Sequence, residues 1–225
     1  MDKIITAEQA AAMVEGGDRT VMIAGFGTTG TPNHILKSLA DLGTIDLSII
    51  AGDFGQNNRG FRQGIALLVG NGQVSRAQIS FTGVNPEAAA KAAAGEIDVT
   101  FIPLGTLVER IRCGGYGIGG FYTRTGVGTL VAEGKESKVI DGVEYLLEKP
   151  LRADVGLVKA YKADKFGNAV FRYTARGYNE FIAMACDNTI LEVEELVEVG
   201  DIQPDEVQLP GIFVNHIVVG KEAVL

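Results

Sequence analysis

The strongest constraint on the fold is an alternation. Short apolar runs recur along the chain, each joined by a glycine-marked bend to a segment with helical periodicity. Residues 21–24, Val-Met-Ile-Ala, make such a run and read as a strand. Residues 32–42 then place Ile35, Leu36, Leu39 and Leu42 at the spacing of one helical face. Thr31 is a suitable N-cap, because its hydroxyl can accept from an unpaired first-turn N–H, and Pro32 at the first helical position sacrifices no hydrogen bond. Gly43 closes the helix. The unit recurs with a strand at 47–51, an alanine-rich helix at 86–94 closed by Gly95, a strand at 99–102 and a helix at 106–112. Alternation of this kind predicts an α/β fold, an open and mostly parallel sheet with flanking helices.

The character changes after Cys113. Residues 114–120, Gly-Gly-Tyr-Gly-Ile-Gly-Gly, read as a loop, since each glycine loses extra backbone entropy on ordering. Two apolar runs, 138–140 and 143–147, flank Asp141-Gly142, the dipeptide that favours a type I′ hairpin. A β-rich insertion is therefore expected. Further strands are predicted at 155–158, 190–193 and 212–219, with a helix at 178–186. No long polar linker interrupts the chain, so residues 1–225 read as a single domain.

With 225 residues, 46% of them hydrophobic and 21% charged, the chain can bury a substantial core. No apolar run approaches the twenty or so residues of a membrane span, and the N-terminus has no apolar signal core. No membrane association and a cytoplasmic location are expected. Two cysteines, Cys113 and Cys186, are too few for a disulfide framework and lack metal-ligand spacing, so both read as thiols and no metal site is expected. A net charge of −8 argues against a nucleic-acid partner, because such affinity comes largely from Lys and Arg neutralising phosphates. The 30 glycines cluster, and the clusters are where chemistry is sought.

Gly25-Phe26-Gly27-Thr28-Thr29-Gly30 matches G-x-G-x-x-G between a predicted strand and a predicted helix. Backbone amides there can face an anion, whether a pyrophosphate, a CoA phosphate or a thioester oxyanion. A dinucleotide site also needs an acidic residue about twenty positions on, closing the second strand. Asp46 has the better spacing but precedes that strand, and Asp53 follows it but lies too far along. A tight turn serving only packing is the third reading. Elsewhere, Glu109 with Arg110 and Arg112 reads first as an ion-paired helix face and second as a catalytic carboxylate. Cys113 reads as a core residue before a nucleophile. His34, near the glycine loop, is a candidate ligand contact, and His216 reads as a core or partner-contact residue. Tyr116 and Tyr122 are candidates to line a channel, with simple packing the alternative.

A longer resemblance favours one of these readings. Residues 21–32, Val-Met-Ile-Ala-Gly-Phe-Gly-Thr-Thr-Gly-Thr-Pro, resemble the alpha-chain signature of the class I (3-oxoacid) CoA-transferases: apolar residues, Gly-Gly-Phe, three of any kind, then Gly-x-Pro. Residues 103–115, Pro-Leu-Gly-Thr-Leu-Val-Glu-Arg-Ile-Arg-Cys-Gly-Gly, resemble the family segment Pro-Gln-Gly-Thr-Leu-x-Glu-Arg-Ile-Arg-x-Gly-Gly. Segments 121–129, 151–154, 164–168, 175–176 and 210–212 are also similar, so the likeness spans essentially the whole chain. It departs at Ala24 for the first glycine, at Gly17-Asp18 for Asp-Gly, at Leu104 for the glutamine, and at Gly52-Asp53 for paired asparagines.

The resemblance implies an alpha subunit with no catalytic nucleophile of its own. In the family a glutamate of the B-type subunit, in a Ser-Glu-Asn-Gly context, becomes an acyl anhydride and then a glutamyl-CoA thioester, and no Ser-Glu-Asn occurs here. It further implies that Ala24, Gly25, Phe26, Gly27, Thr28, Thr29 and Gly30 bind CoA or an oxyanion, with Phe26 packed beside the thioester. Asp53, Leu104 and Tyr116 would line the acyl pocket. CoA is then a substrate, with no permanently bound cofactor. The implied partners are a B-type (beta) CoA-transferase subunit in an alpha2beta2 assembly, an acyl-CoA and a short carboxylic acid. The competing readings are an NAD(P)-dependent oxidoreductase using the GFGTTG loop and a non-catalytic ligand-sensing subunit.

Overall fold

The computed structural model describes residues 3–82 and 84–220. In chain order its elements are β1 (Ile4–Ile5), α1 (Ala7–Ala12), β2 (Thr20–Ile23), α2 (Asn33–Leu42), β3 (Leu47–Ala51), β4 (Gln56–Asn58), β5 (Phe61–Gln63), α3 (Ala66–Gly70), β6 (Val74–Ile79) and α4 (Pro86–Ala93). There follow β7 (Asp98–Phe101), α5 (Leu104–Tyr116), β8 (Phe121–Thr123), β9 (Ser137–Ile140), β10 (Val143–Glu148), β11 (Ala153–Asp164), β12 (Ala169–Val170), α6 (Asn179–Ala185), β13 (Cys186–Val197) and β14 (His216–Val219). Among the described residues no helix is long and apolar enough to cross a membrane.

The expected α/β sheet is present. Its strands run in the order β1-β14-β13-β11-β2-β3-β6-β7, all parallel, with β12 added antiparallel to β11. Successive residues of β2 feed opposite layers. Val21 and Ile23 join a core with Ile35, Leu36 and Leu39 of α2, while Met22 joins a second core with Leu107 and Ile111 of α5 and Ile182 of α6. Burial on both faces explains why the strands read as unbroken apolar runs instead of alternating ones. Each fully buried Leu or Ile contributes about 1.5–3 kcal/mol, so two such layers hold the sheet between its helices.

The strand order contains a switch. From β2 the chain proceeds through β3 and β6 to the β7 edge, then returns to β11 on the other side of β2 and continues through β13 to β14. Crevices beyond the C-terminal ends of strands at such a point are where open α/β sheets bind ligands. The segment leaving β2 there is residues 24–30.

The insertion forms as the turn chemistry predicts. Asp141 at φ 50° and Gly142 at φ 77° supply the two positive dihedrals of a type I′ turn between β9 and β10, and β8 completes a three-stranded antiparallel sheet. Glu148 of β10, 2% exposed, ties this sheet to the body by facing Lys135 and, at 3.8 Å, Arg110 of α5.

Several expectations need correction. The glycines at 114 and 115 are helical: α5 continues to Tyr116 and ends at Gly117, φ 70°. Gly114 lies against the Leu151 carbonyl and Gly115 against Met184 of α6, where any side chain would collide. Close helix approach, not loop formation, is what these two glycines serve. Thr31 does not cap α2. The cap position is Pro32, and the Thr31 hydroxyl is buried without a partner among the described residues. Residues 211–213 form a 3-10 turn, so the last strand begins only at His216. β11 and β13 each run for 12 residues, far beyond their apolar centres, because they pair with each other along nearly their whole length. Helix α1 is not among the expected elements, although Thr6 and Gln9 form a reciprocal capping box at its start.

Candidate functional site

The polypeptide leaving β2 makes a turn tighter than a bare glycine loop. The amides of Phe26 and Thr29 bond each other's carbonyls at 3.0 and 3.1 Å, and Gly27 at φ 64° occupies the first central position. That dihedral is the requirement of a type II′ turn and favours glycine. Gly25, at φ 124°, lies so close to the Thr31 hydroxyl that a side chain would overlap it.

Three side chains from other elements hold this turn. Asp53, which follows β3, accepts from the Gly27 amide at 2.7 Å and from the Gly55 amide at 2.7 Å. Tyr178, just before α6, donates its hydroxyl to the Gly25 carbonyl at 2.6 Å. Burial, and then the negative charge of Asp53, pushes the Tyr178 phenol far above its ordinary range, so it remains a donor. Asn179 donates to the carbonyls of Gly30 at 3.2 Å and Ala175 at 2.9 Å. The backbone is thus preorganised from both sides, with the amides of Gly25, Thr28 and Gly30 left without a partner among the described residues.

A second polar cluster stands behind the turn. Glu192 of β13 is fully buried and its Oε2 accepts from the first-turn amides of α2, His34 at 3.0 Å and Ile35 at 3.1 Å. Its Oε1 meets Lys159 Nζ at 3.2 Å and His34 Nδ1 at 3.1 Å. The hydrogen bond from Glu192 raises the His34 pKa, against a smaller opposing effect of burial. Lys159 of β11 also faces Glu194 at 3.6 Å. No motif in the sequence announced Glu192, Lys159, Tyr178 or Asn179 as part of this region. Their signal is only that polar residues interrupt or adjoin otherwise apolar strands and a helix.

This arrangement decides between the anion-binding readings. A dinucleotide pyrophosphate would sit on the α2 N-terminus, where the helix dipole and free amides attract negative charge. Glu192 already fills that place. Asp46 is exposed at the wrong end of β3, and both Asp53 oxygens are spent on backbone amides. The oxidoreductase reading therefore finds neither its phosphate seat nor its ribose ligand.

The remaining candidates separate. Phe26 is 61% exposed and packs against nothing that buries it. Leu104 opens α5 on the same edge of the sheet as the turn, half-buried against the second core. Tyr116 ends that helix, 12 residues on, or about 18 Å away at 1.5 Å per residue, so the two cannot line one small pocket. Glu109 is ion-paired to Arg112 at 2.7 Å, as expected of an ion-paired helix face. Cys113 is buried and its thiol pKa is raised by desolvation, while burial pushes Cys186 up to about 12. Neither is an activated nucleophile. His216 has a buried Nδ1 without a partner among the described residues and a pKa lowered by burial. Tyr122 donates to Glu136 at 2.7 Å, away from the turn.

Comparison with known proteins gives a consistent result. A family model described as Coenzyme A transferase matches residues 4–220. The alpha subunit of acetate CoA-transferase from Escherichia coli K12 is 43% identical over 221 residues, covering 98% of either chain. The corresponding A-type chain of succinyl-CoA:3-ketoacid coenzyme A transferase from Helicobacter pylori J99 is 41% identical over 99% of this chain and 94% of its own. Among solved structures, an acyl-CoA transferase from Escherichia coli O157:H7, crystallised as a thioester complex with CoA, superposes with a TM-score of 0.85 at 23% identity over 97% of this chain. The present chain spans about half of that longer polypeptide, 47% of its length.

Proposed function

Because the chain belongs to the coenzyme A transferase family and matches alpha-type members over nearly their full length, we propose that it is one half of an enzyme exchanging CoA between a short-chain acyl-CoA and a 3-oxoacid or other short carboxylic acid. Its share of the chemistry is electrostatic. A glutamate of the B-type partner attacks the acyl-CoA carbonyl and expels CoA thiolate, forming an acyl-glutamyl anhydride. The thiolate then attacks the glutamyl carbonyl, releasing the acyl group as its carboxylate and leaving a glutamyl-CoA thioester. The acceptor acid reverses both steps. Each attack develops negative charge on a carbonyl oxygen, and the amides of Gly25, Thr28 and Gly30 are the donors assigned to it.

The observation that carries this reading is the pinned turn at the strand-order switch, with unspent amides and, among the described residues, no unspent carboxylate beside it. Asp53 and Glu192 each have both oxygens committed. A donor fixed in advance stabilises an oxyanion by about 3 kcal/mol, because no reorganisation is needed when charge appears. Leu104, and the backbone around Asp53, form the acyl wall in this scheme. An apolar leucine there selects by shape and not by hydrogen bonding. The relatives' names include both acetate and succinyl-CoA:3-ketoacid transferases at similar identity, so the acid is assigned only as short.

The rest of the proposal follows from the same reading: residues 1–225 as one subunit domain, an alpha2beta2 assembly, and a cytoplasmic setting in which the two free cysteines stay reduced. The test is reconstitution. The purified chain alone transfers no CoA, and addition of a B-type partner restores exchange. After incubation with acyl-CoA, mass spectrometry finds the CoA adduct on a glutamate of the partner. An adduct on a side chain of this protein overturns the scheme.

A further inference from the structure

The turn uses only part of the buried polar chemistry at this edge of the sheet. Glu192, Lys159 and Asn179 are 0%, 8% and 1% exposed, and none of the steps above employs them. They nevertheless form one connected path. Glu192 grips the His34 and Ile35 amides at the start of α2. Lys159 Nζ holds Glu192, and the Lys159 amide donates to Asn179 Oδ1 at 2.8 Å. Asn179 Nδ2 in turn holds the Gly30 carbonyl. The path closes a ring around residues 30–34, so the exit of the glycine turn and the first turn of α2 are fixed to each other through β11, β13 and α6.

Ordinary helix capping does not explain this. A Ser, Thr, Asp or Asn at the cap position satisfies first-turn amides locally, and Thr31 is close at hand, its hydroxyl unspent among the described residues. Instead a carboxylate from a strand two places away in the sheet does it, at the cost of desolvating two charges. Buried ion pairs are often no more stabilising than apolar residues of the same volume, and their best-attested use is to specify one arrangement over others. The pair also has an electrostatic consequence. With the positive end of α2 neutralised internally, substrate charge is steered to the turn amides and not to the helix.

We infer that Glu192, held by Lys159, is a positioning residue of the transfer reaction. It sets the angle at which the glycine turn presents its amides, and Asn179 completes the hold. This inference rests on reading the turn as the element that faces the thioester.

The test compares variants in the complex reconstituted with the B-type partner. The double variant E192L/K159M removes both charges at similar volume. Its expected behaviour is a lowered melting temperature, because the His34 and Ile35 amides lose their acceptor, with a folded complex in which kcat is lowered ten- to a hundredfold and KM for acyl-CoA changes less than twofold. The near-isosteric E192Q keeps one acceptor oxygen for α2 and is expected to lose about tenfold in kcat, again with KM held. Wild-type kcat in a folded double variant overturns the inference. If the double variant fails to assemble, E192Q decides alone, and wild-type kcat in it has the same meaning. Gly27→Val, run alongside, separates the two readings. Turnover that survives Gly27→Val sinks the turn reading itself, whereas its loss with intact turnover in the clamp variants sinks only the role of Glu192.

Discussion

Tyr178 and Gly52 offer a test that depends on a single oxygen atom. The Tyr178 hydroxyl donates to the Gly25 carbonyl at 2.6 Å, and the same oxygen occupies the space a side chain at Gly52 would need. Replacing Tyr178 by Phe leaves the Gly25 carbonyl without its donor, a loss of about 1–3 kcal/mol for a partly buried acceptor. Replacing Gly52 by Ala suits the backbone, whose φ is not in the left-handed region, but drives a methyl group into that hydroxyl, an overpacking loss of about 1–3 kcal/mol. If each single change costs about 2 kcal/mol, independent sites give about 4 kcal/mol for the double variant. Here the two penalties share one atom. Once the oxygen is gone the methyl has room, and the double variant should lose only the hydrogen bond, about 2 kcal/mol. The assay is urea unfolding of the four proteins, read as shifts in midpoint at constant slope. Turnover in the reconstituted complex should fall in Tyr178→Phe, because the peptide plane between Gly25 and Phe26 loses its anchor. A double variant within about 0.5 kcal/mol of additivity refutes the geometry on which the pinned turn rests.

Asp53→Ala leaves the Gly27 and Gly55 amides without their charged acceptor; at about 1.5–3 kcal/mol per bond, an unfolding free energy lower by about 3–6 kcal/mol is expected by denaturant titration, with turnover lost in parallel. The His34 pKa is raised by Glu192, so its contribution to stability is full below the unfolded value of about 6.5 and is lost as pH rises through the folded value. Melting curves of wild type and His34→Gln across that window should therefore converge toward high pH, and a constant difference contradicts the assignment. Within α5, Gly105 has open space around it and Gly114 does not. Gly105→Ala should raise stability by about 0.5–1 kcal/mol, while Gly114→Ala should lower it by about 1–3 kcal/mol despite the same gain in helix propensity. Equal effects at both positions in a thermal melt rule out the close-packing account.

The parallel sheet was legible because strand and helix periods are local properties. The run at 21–24, the helical spacing of Ile35, Leu36 and Leu39, and the Asp141-Gly142 turn each require only neighbouring residues to be read. The same locality produced the errors. Gly114 and Gly115 look like loop residues until Leu151 and Met184 are placed beside them, and Thr31 looks like a cap until Glu192 arrives 158 positions from the His34 amide it accepts. Asp53 drew notice as a ribose or acyl-pocket residue, but its carboxylate is consumed by the turn it was expected only to neighbour.

The sequence alone therefore determined the fold class, the hairpin, the family resemblance and the position of the glycine turn after the first long strand. Only the tertiary structure decided which buried polar groups hold that turn, which of its amides stay unspent, and that the helix end behind it is closed to a ligand. The physical reason is that a strand's period says which face a side chain takes, whereas its hydrogen-bond partner depends on which strand lies next to it. That order, with β11 returning beside β2 and β13 beyond it after the chain has built the far edge, is set by the assembled sheet.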